Sequence, residues 1–265
     1  MIQNSPLIIA QVTDLHLFAE PDRTLLGLPT ADSLSALLRQ LRQLQPPPDF
    51  LLLTGDLSQD GTAASYEYLQ AVLGPLKIPA YWLPGNHDDP EMMARSLTHP
   101  LFLPEKSFQA GSWQFLLLNS HVDGCVCGNL STSSLDWLDR ELYKNSQRPT
   151  LVSLHHPPFL TDSDWLDTSI LQNPEDLFAV IDRHPQVELV VFGHIHQEFL
   201  CQREGVTYVG TPSTCIQFEP KSTHFALGSQ EPGFRLLSLH PDGSWETEVR
   251  RIAYAHQLDR VAMGY

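Results

Sequence analysis

Basic residues are scarce in this chain: 16 Lys and Arg stand against 31 Asp and Glu, a formal net charge of −15 over 265 residues. Such a surface repels a long polyanion, so general nucleic-acid binding is disfavoured. A small anionic substrate stays open if its site brings its own cations. Cysteine is rarer, with Cys125, Cys127, Cys201 and Cys215. Cys125-Val126-Cys127 lacks the C-x-x-C register of a zinc or redox pair, and reduced, packing cysteines of a cytosolic protein are the expectation. No apolar run approaches the roughly 18–20 residues of a membrane span. Met1-Ile2-Gln3-Asn4-Ser5-Pro6 has no basic region ahead of a signal-like stretch. These absences together read as a soluble, cytoplasmic protein with no membrane partner. Repeats, low-complexity tracts and linkers are missing too, so residues 1–265 read as one domain.

What is present is an ordinary globular composition, 42% hydrophobic and 18% charged, in which short β-rich runs alternate with helical periods. The strands expected are Leu7 to Val12, Phe50 to Leu53, Ile78 to Leu83, Trp113 to Leu118, Thr150 to Leu154 and Leu189 to Phe192. Between them the spacing predicts helices over Thr30 to Leu44, with Thr30 as N-cap, and over Thr62 to Leu73, Leu130 to Leu142 and Asn173 to Asp182. Residues 89–110 are poorly patterned, with a short helix around Pro90 to Leu97. Beyond 205, Thr207 to Val209, Phe234 to Leu239 and Trp245 to Ile252 read as antiparallel strands, the last two joined by an Asp242-Gly243 hairpin. Alternation of strands and helices implies an α/β fold with a largely parallel sheet.

Chemistry gathers at the carboxyl ends of those strands. Asp14 and His16 follow the first, Gly55-Asp56 the second, Gly85-Asn86-His87-Asp88 the third, His155-His156 the fifth and Gly193-His194-Ile195-His196 the sixth. Open α/β sheets place their sites outside these ends. In extended backbone, side chains two apart point the same way, which would turn His194 and His196 to one site. Imidazole and carboxylate suit borderline cations such as iron, manganese and zinc, each satisfied by about four to six ligands. The set exceeds the needs of one ion and suits two that share a bridging carboxylate, for which Asp56 is the choice. Two-metal sites of this kind clamp an in-line displacement at phosphorus.

In this order, Asp14-x-His16, Gly55-Asp56, Gly85-Asn86-His87-Asp88, His155 and Gly193-His194-Ile195-His196 resemble the calcineurin-like metallophosphoesterases. The resemblance implies a layered sandwich of two mixed β-sheets flanked by helices. It implies one metal on Asp14, His16, Asp56 and His196, and a second on Asp56, Asn86, His155 and His194. His155 is favoured over His156 by the same pattern. His87 is the implied catalytic residue, beside the phosphate, stabilising charge or protonating the leaving alkoxide; Asp88, next to it, is read equally as the partner orienting it or as a turn acid. His16, Asp56, Asn86, His87 and His196 are the residues implied to meet the substrate.

A narrower resemblance, to bacterial class III 3′,5′-cyclic-AMP phosphodiesterases, rests on three stretches. These are Gln11 to Phe18, His194 to Glu198, and Thr211-Pro212-Ser213-Thr214-Cys215-Ile216-Gln217-Phe218 with Pro232-Gly233-Phe234-Arg235 after it. It implies hydroxide attack on cyclic AMP to give 5′-AMP, and leaves a homodimer open. The last stretch is read equally as a wall near the nucleotide or as core and subunit contact. Other small phosphodiesters (glycerophosphodiesters, 2′,3′-cyclic nucleotides, nucleotide-containing diphosphates) and a non-catalytic interaction module are the alternatives.

Overall fold

The computed structural model describes residues 5–254 and 257–262. In chain order its elements are β1 (Leu7–Val12), β2 (Thr24–Leu25), β3 (Leu28–Pro29), α1 (Thr30–Leu41), β4 (Phe50–Thr54), α2 (Ala63–Leu73), β5 (Ala80–Leu83), α3 (Pro90–Ser96), β6 (Phe102–Leu103), β7 (Ser107–Ala110), β8 (Trp113–Leu117), α4 (Thr132–Lys144), β9 (Thr150–Ser153), α5 (Pro174–Ile181), β10 (Val187–Phe192), β11 (Phe199–Arg203), β12 (Val206–Gly210), β13 (Gly233–Leu239) and β14 (Trp245–Arg251). Two six-stranded mixed sheets result, ordered β14-β13-β1-β4-β5-β6 and β11-β12-β10-β9-β8-β7, with β2 and β3 as a separate pair.

The layering follows from period-two alternation of apolar strands buried on both faces. On β1, Ile9 faces the second sheet while Ala10 and Val12 face helices; on β4, Phe50 and Leu52 do the former and Leu51 and Leu53 the latter. Opposite them, Phe115 and Leu117 of β8 and Leu189 and Val191 of β10 fill the space between the sheets. The outer face of the first sheet packs on Leu34, Leu37 and Leu41 of α1 and on Tyr66 and Leu69 of α2. The second sheet packs on Leu138 and Leu142 of α4 and Leu177 and Ile181 of α5. No helix among the described residues is long and apolar enough to cross a membrane.

Several expectations are corrected. Alternation implied one largely parallel sheet, but antiparallel β13 beside β1 and antiparallel β7 beside β8 make both sheets mixed. The strands beyond 205 are divided between the sheets, and β12 runs parallel to β10 while pairing antiparallel with the unforeseen β11. The poorly patterned stretch 89–110 holds α3 and also β6 and β7, too short to show a period. Thr30 is the first residue of α1, not its cap; Pro29 precedes it with no side-chain cap, and the helix stops at Leu41 rather than Leu44.

A buried polar bridge joins the sheets. Gln11 Nε2 on β1 donates to Thr54 Oγ1 at 3.0 Å and to the Phe192 carbonyl of β10 at 3.1 Å, and Gln11 Oε1 accepts from the Thr211 hydroxyl at 2.6 Å. Thr211 Oγ1 accepts from Arg235 Nε, whose other N–H groups reach Thr247 Oγ1 and the Gly210 carbonyl. Burial pushes the Arg235 guanidinium down to about 10. Gln11→Leu would strip the Phe192 carbonyl and the Thr211 hydroxyl of this partner. The Phe192 carbonyl keeps Thr211 N as a donor, so the Thr211 hydroxyl proton is what is left unpaired, and a loss of about 1–3 kcal/mol is expected in urea unfolding. An unchanged midpoint would mean the bridge contributes nothing.

Candidate metal centre

The strand ends do not simply continue as extended chain. Asp14, His16, Asp56, His194 and His196 all have positive φ, between 48° and 69°. Left-handed backbone costs a non-glycine residue on the order of 1–3 kcal/mol and persists only where its surroundings impose it. Here cross-loop bonds impose it. Asp14 N donates to the Gly55 carbonyl at 3.0 Å, His16 N to the Asp56 carbonyl at 2.9 Å and Gly193 N to the His155 carbonyl at 3.1 Å. His194 N donates to the Asp14 carboxylate. His194 and His196 thus reach the centre through tight turns, not along the extended segment expected, and Ile195 between them is buried in the core. Close approach is permitted by missing Cβ atoms: one at Gly85 would lie 2.2 Å from Asp56 Oδ1, and one at Gly193 2.1 Å from Thr13 Oγ1.

Hydrogen bonds on the far side of each ring decide which nitrogen faces inward. His16 Nδ1 bonds Gln59 Oε1 at 2.6 Å, His196 Nδ1 the Ile216 carbonyl at 2.8 Å and His155 Nδ1 the Thr54 carbonyl at 2.8 Å. These partners only accept, so each Nδ1 carries a proton and each ring turns its Nε2 inward. Nε2 of His16 then lies 3.2 Å from Nε2 of His196, which is 3.5 Å from Asp14 Oδ1. His194 is turned the other way. Ser169 gives its hydroxyl proton to the Leu166 carbonyl, so it accepts from His194 Nε2, leaving Nδ1 2.9 Å from Asn86 Oδ1. His155 Nε2 sits 3.2 Å from both Asn86 Oδ1 and Asp56 Oδ2.

Asp56 joins the two groups. Its Oδ1 accepts from His87 N at 2.8 Å, while the buried Oδ2 has no well-aligned hydrogen bond among the described residues and lies 3.9 Å from His16 Nε2 on one side and 3.2 Å from His155 Nε2 on the other. Electron-pair donors crowded round a buried carboxylate oxygen that lacks a well-aligned hydrogen bond fit a cation. The ionisation states agree. Burial, with help from His87 and His196, drives His16 down to about 3 against the pull of Asp56, and burial likewise holds His194 well below the usual histidine range. Neutral imidazole is the form that ligates metal. His155 is the exception: burial opposes its charge, but Asp56, Asp14 and the Thr54 carbonyl together outweigh burial and lift it to about 9, so its Nε2 proton faces Asp56 where a cation would displace it.

Residues 7–198 match the family model described as Metallophos, calcineurin-like phosphoesterase. The chain belongs to the calcineurin-like phosphoesterases. It is 52% identical to a 3′,5′-cyclic-nucleotide phosphodiesterase of Nostoc sp., over 98% of this chain and 97% of that one. It is 41% identical to the 3′,5′-cyclic adenosine monophosphate phosphodiesterase CpdA of Pseudomonas aeruginosa, over 99% and 96% of the two chains. Among solved structures, a dimetal phosphatase from Danio rerio has a TM-score of 0.66 at 16% identity, covering 94% of this chain and 100% of that one. Purple acid phosphatase PPD1 from yellow lupin has 0.70 at 16%, covering 97% and 53%. Such structural likeness speaks to the fold, two mixed sheets between helices.

Two expectations about this phosphoesterase change, those for Asp88 and for the first two cysteines. Asp88 does not serve His87: its Oδ1 accepts from Ser58 N and the Tyr66 hydroxyl, and its Oδ2 from Leu57 N and Gly85 N, so it fastens the Asp56 loop to the Gly85 turn. Burial and the Asp56 charge lift Asp88 to about 7. His156, the less favoured of the pair, stands beside His155 and His194 but has both ring nitrogens engaged, by Ser120 Oγ and the Val126 carbonyl. Cys125 and Cys127, expected reduced, are joined in a disulfide, their Cα atoms 5.2 Å apart, within the usual bridging range; Cys201 and Cys215 are free. Sequence reasoning also missed Gln59 and Ser169, whose only signal is polarity near a motif. The segment 211–218, read two ways from sequence, is buried beneath the centre. Its Ser213 hydroxyl bonds the Asp14 carbonyl, Ile216 anchors His196, and the Phe218 ring stacks on His196 at 4.2 Å.

Gln59→Leu removes the acceptor that fixes the His16 tautomer. Metal affinity should fall about 10–100-fold, the range for losing such an outer partner. Competition with a chromophoric chelator measures it, and parental affinity would show that Gln59 does not set the ring.

Proposed function

We propose that this phosphoesterase hydrolyses 3′,5′-cyclic AMP to 5′-AMP, with two divalent cations held by Asp14, His16, Asp56, Asn86, His155, His194 and His196. The observation that carries the dinuclear reading is the buried Asp56 Oδ2, which lacks a well-aligned hydrogen bond, between the His16 and His155 sides of the centre. In the first set stand Asp14, His16 and His196; in the second, Asn86, His155 and His194; Asp56 belongs to both. The choice of cyclic AMP is supported by relatives of that name over nearly the full length. Iron, manganese and zinc all suit imidazole with carboxylate. Bound there, such cations supply Lewis acidity toward phosphate oxygens and a water acidic enough to ionise near neutral pH.

The side chains divide the remaining work. Asp14 and Asp56 contribute two negative charges, which two dications exceed, so a monoanionic phosphodiester is attracted despite the acidic surface. His16, Asp56, Asn86 and His196 border the phosphate. His87 is half-exposed at the rim, its backbone tied to Asp56 Oδ1 and its ring edge-on to His16 with centroids 5.0 Å apart. From there it donates a proton to the departing 3′-oxygen, a task for which imidazole suits neutral pH. The same reading treats the chain as one domain, since the buried Gln11 bridge spans both sheets, and places it in the cytoplasm.

Kinetics on a panel of cyclic AMP, cyclic GMP, a 2′,3′-cyclic nucleotide and a glycerophosphodiester test the substrate. Cyclic AMP should have the highest kcat/KM, with hydrolysis lost to a chelator and restored by metal; preference for another member would overturn the assignment. In His87→Ala, metal content should persist while kcat drops about 10²–10⁴-fold, the usual loss for a general acid. Unchanged turnover would remove His87 from the chemistry. Asp56→Asn should lose metal and activity together, and a fully metallated, active variant would contradict the bridge.

A further inference from the structure

The disulfide between Cys125 and Cys127 lies in the loop 119–130, which leaves β8 and rests against the metal centre. The pair encloses one residue, Val126, whose side chain is 57% exposed while its carbonyl turns inward and accepts from His156 Nε2 at 3.1 Å. His156 is fully buried, with the Ser120 hydroxyl 2.8 Å from Nδ1. Its ring centroid is 4.9 Å from that of His155 and 4.8 Å from that of His194. The loop sits so close that a Cβ on Gly128 would lie 2.4 Å from the His156 ring. A second tether runs the other way. Gly128 N donates to the Ile170 carbonyl and the Gly128 carbonyl accepts from Gln172 N, next to Ser169, which holds His194. The loop therefore braces one inner donor from each side.

Both cysteines are half-buried, within reach of a small thiol, and Val126 between them is open to solvent. The other two are unlike them: Cys215 is buried, and burial raises the thiols of Cys201 and Cys215, the former to about 11, which suppresses the reactive thiolate. His121, in the same loop, is paired with Asp123 at 3.5 Å and stands near enough to feel Asp56 and His155.

We propose that Cys125 and Cys127 form a reversible thiol–disulfide site that sets, through the Val126 carbonyl and His156, how firmly His155 and His194 are held. The closed form pins the carbonyl in a small covalent ring facing His156; the open form lets Val126 rotate away. Opening is a two-electron exchange. A dithiol attacks one sulfur, a mixed disulfide forms, and the second dithiol sulfur displaces the protein thiolate. The reductant leaves as its own disulfide, and its two protons end on Cys125 and Cys127. An external disulfide reverses each step.

The test poises the metal-loaded enzyme in mixtures of reduced and oxidised dithiothreitol, with metal content checked in each. Acid-quenched samples are alkylated and read by mass spectrometry, alongside hydrogen exchange over 120–128 and hydrolysis of bis(4-nitrophenyl) phosphate. Cys125 and Cys127 should gain label together as one two-thiol step, and exchange over 120–128 should rise on reduction and return on oxidation. Turnover should fall about threefold to tenfold in the open form, the order expected for losing one hydrogen bond behind a ligand. Cys125→Ser/Cys127→Ser should resemble the open form at every poise, and Cys201→Ser should keep the response. Full labelling of the pair in the oxidised mixture, or identical exchange in both forms, would overturn the proposal. Turnover missing from both forms would count against the activity proposed above, while labelling and exchange still decide the redox site.

Discussion

Everything in this molecule accommodates one electrostatic difficulty: like electron-pair donors brought close together in a place water barely reaches. Bare imidazole nitrogens 3.2 Å apart and a carboxylate oxygen without a well-aligned hydrogen bond repel one another unless positive charge stands between them. A flexible scaffold would relieve the crowding by moving apart. This one cannot, because each donor is locked from behind by a bond to a carbonyl or side chain and each loop is bonded to the next. The left-handed residues at the strand ends are the visible cost of holding that arrangement.

The sandwich supplies the rigidity. Interdigitated apolar residues between the sheets fix their spacing, and Gln11, Thr211 and Arg235 fix their register across the seam. Asp14 and Asp56 come from one sheet, His155, His194 and His196 from the other. The centre sits on the line where the sheets meet, so any sliding of one over the other would separate these side chains. Asp88 does the same job on a smaller scale, clipping two loops of one sheet together with both of its oxygens.

Much of this was legible in the residues. Apolar runs ending in Asp14, Asp56, Asn86, His155 and His194 located both the strands and the side of the sheet that carries the chemistry, because strand polarity and side-chain type are local properties. What was not legible depended on contacts distant in sequence. Nothing in His194-Ile195-His196 tells extended chain from a pair of left-handed turns; the bonds that impose the turns come from Asp14 and His155. Asp88 looked like a partner for its neighbour His87 because proximity in sequence was the only guide, and its real partners begin at Leu57. Strands as short as Phe102–Leu103 carry too few residues for alternation to show. The Cys125 and Cys127 bond escaped a rule based on C-x-x-C spacing.

The distribution of ligands along the polypeptide has a consequence for biosynthesis. The first lies at position 14 and the last at 196, and they belong to two sheets that close only when β10 has been made and docked between β9 and β12. A nascent chain still lacking that strand owns five of the seven inner side chains, Asp14, His16, Asp56, Asn86 and His155, without the sheet that completes their pocket. A cation site built from these residues is therefore complete only once the two sheets have docked.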